Sequence, residues 1–179
     1  MRTFIALELP DATRDALSRL QDRLRAGRQI DEDDLHVTLS FLGEVDLPRL
    51  TDLDLDLQAL RVPHPAVEIA GLATFGTDPP RSVHAAVRAT PELVHLQAKV
   101  AAVVRRAGIA LPHRRFVPHV TLARFSRSAP PEELARLGRF LSAHGDFRLD
   151  PVMVPEITLF RSRLDADGAI YEVLERYPI

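Results

Sequence analysis

Apolar and polar positions along the chain alternate between two periods, and the switches mark the elements. Residues 3–9 are a short apolar run ended by Pro10 and Asp11, which predicts a buried strand leading into a helix. Leu17, Leu20 and Leu24 then recur at helical spacing, predicting a helix from Asp11, as its cap, to about Ala26, closed by Gly27. A strand follows over residues 35–42 and stops at Gly43. Leu47, Leu50, Leu53, Leu57 and Leu60 have helical spacing, although residues 52–57 also alternate with period two. Asp46 as a cap and Pro48 in the first turn favour the helix. Residues 67–75 read as a strand with a bulge at Gly71.

The order then starts again. Residues 82–87 are a short strand, and residues 92–107 are a helix with Leu93, Leu96, Val100, Val103 and Val104 inward and Gly108 at its end. A strand lies within residues 116–125, and Pro130 and Pro131 open a helix carrying Leu134, Leu137 and Leu141. Residues 147–160 are extended, and Asp165-Ala166-Asp167-Gly168 reads as a hairpin turn before a last strand over residues 169–176. Strand, helix, strand, helix, strand thus occurs twice, as an internal duplication predicts.

The middle strand of each half carries the same four residues, His36-Val37-Thr38-Leu39 and His119-Val120-Thr121-Leu122. Side chains of a strand alternate between faces, so each His shares a polar face with the Thr two places on, and Val and Leu face the core. If the two strands meet, the site holds two imidazoles and two hydroxyls, which are a general acid, a general base and a pair of hydrogen-bond donors.

Composition narrows the chemistry further. The 179 residues suffice for a domain with a substantial core, and 46% hydrophobic with 27% charged residues is the ordinary balance of a globular protein. A net charge of −2 excludes a generally basic nucleic-acid binder, so any RNA contact is local. Arginines do cluster around the second motif, at Arg105, Arg106, Arg114, Arg115, Arg124 and Arg127. With no Cys there is no disulfide, thiolate nucleophile or Cys-based zinc site. Residues 1–8 lack the long apolar region of a secretory signal, and no apolar run reaches membrane-spanning length, which predicts a cytoplasmic protein without membrane partners.

Of the remaining histidines, His64, His95 and His144 read as surface residues, as does His113 in a basic loop, and the role of His84 is open. A strand carrying His-X-Thr offers one nitrogen and no second strong ligand, and the consecutive acids Asp31-Glu32-Asp33-Asp34 cannot converge on one ion without an unusual loop. Neither a metal nor another cofactor is expected.

These residues carry a resemblance. Residues 2–10, Arg-Thr-Phe-Ile-Ala-Leu-Glu-Leu-Pro, the stretch from Leu35 through Phe41-Leu42-Gly43 to Val45, Phe116-Val117-Pro118-His119 through Arg124, and Glu156-Ile157-Thr158-Leu159-Phe160 through Tyr171 resemble the two-histidine phosphoesterase superfamily. Within it the chain is most similar to the bacterial and archaeal RNA 2′,3′-cyclic phosphodiesterases, the LigT-like proteins once described as 2′-5′ RNA ligases. One departure is Val83-His84-Ala85-Ala86, where members usually carry an aromatic, a small residue and Gly.

The resemblance implies one bilobal α+β domain over residues 1–179, pseudo-two-fold, with two antiparallel sheets backed by helices around a central cleft. It implies metal-independent hydrolysis of a 2′,3′-cyclic phosphate on RNA ends or small nucleotides to a 2′-phosphomonoester, with His36 as proton donor and His119 as proton acceptor. Thr38 and Thr121 would hold phosphate oxygens, and Phe41 and Arg124 would hold the nucleobase. Strict alternation puts Phe41 and Arg124 opposite the histidines, so reaching the cleft requires a bulge or a strand end. The alternatives are 2′-5′ RNA ligation at the same site and non-catalytic nucleotide or RNA binding. A monomer is expected.

Overall fold

A computed structural model describes residues 1–165 and 168–179. The elements are β1 (Arg2–Glu8), α1 (Asp11–Gln21), β2 (Arg28–Gln29), β3 (His36–Glu44), α2 (Leu47–Gln58), β4 (Ala66–Phe75), β5 (Ser82–Val87), α3 (Pro91–Arg106), β6 (His119–Arg124), α4 (Pro131–His144), β7 (Arg148–Met153), β8 (Glu156–Asp165) and β9 (Gly168–Pro178). They form an α+β structure with one sheet in the order β3-β1-β8-β9 and another in the order β2-β6-β5-β4-β7.

The expected duplication is present, with an exchange. Strands β3, β1, β8 and β9 correspond in order to β6, β5, β4 and β7, and all neighbours are antiparallel. Strands cross between the halves: β4 of the first half lies on β5, the first strand of the second, and β8 of the second half lies on β1, the first strand of the first, while the other edge of β8 pairs with β9. Among the described residues only β2, added beside β6, has no counterpart.

Several expectations are corrected. Helix α1 stops at Gln21 rather than near Ala26, because the chain tightens after Leu20, with the amides of Arg23 and Leu24 bonding three residues back, and Arg25 then takes φ +49°. Asp11 is the first helical residue, not the cap; its carboxylate binds Arg14 at 2.6 Å. The first motif strand continues through Gly43, whose φ of +72° accommodates an irregularity rather than an end. The second motif strand spans only His119–Arg124, and the residues from 107 to 118 are irregular. Residues 147–160 are two strands in different sheets, since Val154 and Pro155 turn the chain from β7 to β8. Ala166 and Asp167 of the expected hairpin turn lie outside the described residues, and Asp165 and Gly168 are in register across β8 and β9.

The remaining elements form as expected, except that α2 ends at Gln58, short of Leu60, and Leu47 is exposed on it. Helix α2 forms over the competing strand pattern, with the Asp46 carboxylate accepting from the Arg49 amide at 3.1 Å, and its Leu50, Leu53 and Leu57 are buried. In α3, Thr90 caps and Pro91 opens the first turn. The bulge at Gly71 is present: φ is +97°, the β4–β5 register slips between Ile69 and Leu72, and the freed Gly71 amide bonds Phe147 O at 2.8 Å. One extended core joins Leu17, Leu20 and Leu24 to Leu93, Leu96, Val100 and Val104 and to the apolar faces of both motif strands. Val37 and Val120 are wholly buried there, each contributing on the order of 2 kcal/mol. A one-residue slip of either strand would exchange these valines for the histidines, so burial locks the polar face outward.

Candidate active site

The motif strands lie against each other, β3 of one sheet beside β6 of the other. Over their first six positions they share one pattern: His half-buried, Val buried, Thr half-buried, Leu and the next residue buried, then an exposed side chain. The two consecutive buried positions mark matched bulges. Ala6 opposes Thr38 and Ile5 opposes Ser40, so Leu39 is the extra residue on β3; His84 opposes Thr121 and Val83 opposes Ala123, so Leu122 is the extra residue on β6. After each bulge the alternation reverses. Phe41 and Arg124 therefore return to the face of the histidines.

The two imidazoles are held alike. His36 Nδ1 lies 2.6 Å from the carbonyl of Asp34, and His119 Nδ1 lies 2.7 Å from the carbonyl of Val117. A carbonyl only accepts, so Nδ1 carries the hydrogen in both rings and Nε2 is the nitrogen left for chemistry. His36 Nε2 is 3.1 Å from Thr38 Oγ1, whose hydroxyl donates to it while the ring is neutral.

Their surroundings differ. The His36 ring rests among Phe4, Tyr171 and Phe160, with centroid distances of 5.0, 5.4 and 6.0 Å. Its ladder partner is Glu8, which accepts from Thr158 at 2.8 Å and from Arg176 at 2.7 Å. The His119 ring meets Phe75 edge-on at 4.8 Å and lies 5.0 Å from the His84 ring. His84 stacks on Phe75 at 4.1 Å and is 3% exposed, with no hydrogen-bond partner for Nδ1 among the described residues.

Desolvation dominates the electrostatics. It pushes His36 down to about 4, against the opposing bond to Asp34, with His119 and Arg124 lowering it further and Glu8 raising it. His84 is likewise pushed down to about 4, by burial and then by His119. His119 is lowered by burial, opposed by its bond to Val117, and by the charge of Arg124. Burial would raise the Glu8 carboxyl, but its bonds from Arg176 and Thr158 outweigh that and hold it below its ordinary value. In the free protein at neutral pH both motif imidazoles are therefore uncharged.

All six expected site residues are gathered on this face: His36, Thr38 and Phe41 from β3, and His119, Thr121 and Arg124 from β6. Phe41 is 61% exposed, its ring 6.0 Å from Phe4. Arg124 is exposed and acts electrostatically on both imidazoles. Sequence reasoning assigns no role to Glu8, Thr158 and Arg176, nor to the aromatic packing of Phe4 and Tyr171 against His36. Their signal is the position of Glu8 at the end of the first strand, legible only once β1 is paired with β3. His84, whose role the sequence leaves open, is a buried side chain beside His119.

A family model described as the 2′-5′ RNA ligase superfamily matches residues 7–165. An RNA 2′,3′-cyclic phosphodiesterase of Aeropyrum pernix is 31% identical over 164 residues, covering 88% of this chain and 92% of that protein. One of Thermus thermophilus is 30% identical over 197 residues, covering 100% and 90%. The crystal structure of Escherichia coli LigT complexed with 3′-AMP superimposes with a TM-score of 0.80 at 26% identity, covering 99% of this chain and 97% of that one. No helix among the described residues is long and apolar enough to cross a membrane. With the duplicated fold, the matched bulges and the paired His-Val-Thr-Leu strands in place, this chain belongs to the 2′-5′ RNA ligase superfamily.

Proposed function

We propose that this protein is an RNA 2′,3′-cyclic phosphodiesterase that opens the terminal cyclic phosphate of RNA ends or small nucleotides to a 2′-phosphomonoester, using His36 and His119 and no metal. The observation that carries this reading is the common tethering of the two rings: each Nδ1–H is spent on the carbonyl two residues back, which leaves both Nε2 atoms for chemistry. Named relatives that are RNA 2′,3′-cyclic phosphodiesterases support the same reading.

In the proposed step His119 Nε2 takes a proton from water as its oxygen attacks phosphorus. The P–O3′ bond breaks as His36 Nε2–H gives its proton to the 3′ oxygen. The reaction consumes one water, and the rings return to their starting states by exchanging a proton with solvent. Both imidazoles are neutral in the free cleft, so His36 takes up a proton from solvent as the phosphate binds, the negative charge of the phosphate favouring an imidazolium. Charge decides which ring keeps it. Arg124 lowers both rings, and only His36 also has a carboxylate, that of Glu8, raising it. Thr38 and Thr121 donate hydroxyl hydrogens to the phosphate oxygens as charge builds on them. Phe41 offers a ring face to the nucleobase and Arg124 a cation beside it.

The test is turnover of a nucleoside 2′,3′-cyclic phosphate in EDTA, with the product identified by phosphorus NMR. A 2′-phosphate, lost in both His36→Ala and His119→Ala, is expected. Undiminished turnover in both variants, or turnover abolished by EDTA, overturns the reading.

A further inference from the structure

Away from the imidazoles, a cavity of about 590 Å³ lies between the segment after α1 and the outer side of α4, lined by Arg23, Arg25, Arg136 and Arg139 with Phe140 and His144. None of the four guanidinium groups makes a hydrogen bond or ion pair among the described residues. In a chain of net charge −2, four guanidinium groups around one hollow are a local reversal of sign. Complementing a helix C-terminus explains Arg23, but not Arg136 and Arg139, which lie in the interior of α4 one turn apart. Arg25 takes φ +49°, a region that residues other than Gly seldom occupy, and its side chain still lines the hollow.

The hollow is linked to the cleft through β2. Arg28 opposes Arg124 in the β2–β6 ladder, and Arg25 lies three residues before Arg28. The segment that lines the hollow thus leads directly into the short strand added beside β6, at the position paired with Arg124. A forked, permanently charged guanidinium matches phosphate oxygens, and spaced guanidiniums match a phosphodiester chain rather than a single ion.

We propose that this arginine-lined hollow is a second binding site, for the phosphodiester backbone of an RNA strand whose cyclic-phosphate end occupies the cleft. It rests on the RNA-end reading above. The hollow contributes affinity for RNA length and leaves the chemistry of the end unaffected, since none of its residues touches the motif histidines.

The experiment pairs the native protein with Arg136→Gln/Arg139→Gln, two exposed positions on one helix whose replacement leaves the core intact. Binding of a labelled oligoribonucleotide ending in a 3′-phosphate is followed by fluorescence anisotropy across a salt series. Turnover of a nucleoside 2′,3′-cyclic phosphate is measured alongside. The expected result is oligonucleotide binding weakened about tenfold, with a salt slope flatter by roughly 0.7 for each phosphate that the variant no longer neutralises, and mononucleotide turnover unchanged. Equal oligonucleotide affinity and salt slope in the two proteins overturns the proposal, as does competition by inorganic phosphate that is strong in the native protein and absent in the variant, which marks a small-anion site. Failure of the native protein to turn over the mononucleotide defeats the hydrolase reading alone, because the binding comparison needs no turnover.

Discussion

The side-chain amide of Gln21 in α1 donates to the carbonyl of Leu122, the bulged residue of β6, at 2.8 Å. Gln97 in α3, the corresponding helix of the other half, donates to the carbonyl of Leu39, the bulged residue of β3, at 3.4 Å. Each half therefore reaches across to brace the bulge in the other half's motif strand. Gln21 is 3% exposed and also donates to Ile30 O, so the bond on its side is both shorter and better enclosed. Replacing Gln21 by Leu removes a buried donor from two carbonyls. We expect a loss of about 1–3 kcal/mol in denaturant unfolding, and a smaller loss for Gln97→Leu. Equal losses in the two variants contradict the asymmetry in the bonds.

The tethering of His36 and His119 predicts a particular kinetic signature. Replacing either by Ala removes a proton carrier and leaves Val37 or Val120 holding the strand, so secondary structure by circular dichroism is unchanged. We expect kcat on a nucleoside 2′,3′-cyclic phosphate to fall by roughly 10²–10⁴ in each, with KM little altered. Thr121→Val retains the β-branched shape and loses the hydroxyl, with an expected fall in kcat of about 10²-fold.

Much of this site is legible in the sequence because period-two patterning and its exceptions are local. Two strands with identical His-Val-Thr-Leu strings specify their own polar faces, and the duplication follows from the order of elements. What is not legible depends on pairing between distant segments. The exchange of β4 and β8 between sheets, the placement of Glu8 opposite His36 and the cross-bracing by Gln21 and Gln97 all join residues that no local pattern relates. The end of α1 escapes the pattern because Leu24 continues the helical stripe and is buried, yet it reaches the core from a turn rather than from a further helical residue. Bulges can be required from the sequence, but their location at Leu39 and Leu122 depends on the strands they pair with.

Phe41 and Arg124 occupy corresponding positions past those bulges, and their chemistry predicts separable effects. Phe41 is 61% exposed, so Phe41→Ala changes stability by less than about 0.5 kcal/mol while raising KM through loss of base stacking. Arg124 lowers both motif imidazoles, so Arg124→Gln lets both rise toward the ordinary value. The optimum of kcat/KM against pH is then expected at higher pH than in the native protein, along with a higher KM. An unmoved optimum removes Arg124 from the electrostatics of the pair.

His84 contributes to how the fold responds to acid. Its ring is 3% exposed, stacks on Phe75, lies 5.0 Å from the His119 ring, and leaves Nδ1 without a partner among the described residues. Unfolded, the group titrates near 6.5; folded, burial and then His119 push it down to about 4. Between these values the unfolded chain binds the proton and the folded chain does not. Stability from this group is therefore fully present above pH 6.5 and is lost as pH falls toward 4, by up to about 3 kcal/mol. His36 acts in the same direction over the same window. His84→Phe keeps a ring against Phe75 and removes both nitrogens, so its acid-induced loss is expected to be shallower by that amount. At pH 7.5 the variant is expected to be at least as stable as the native protein, because an unpartnered buried nitrogen has been replaced by carbon. Thermal melts of the two proteins at half-unit steps from pH 7.5 to 4.5 measure both effects, and parallel curves would exclude His84 as the titrating group.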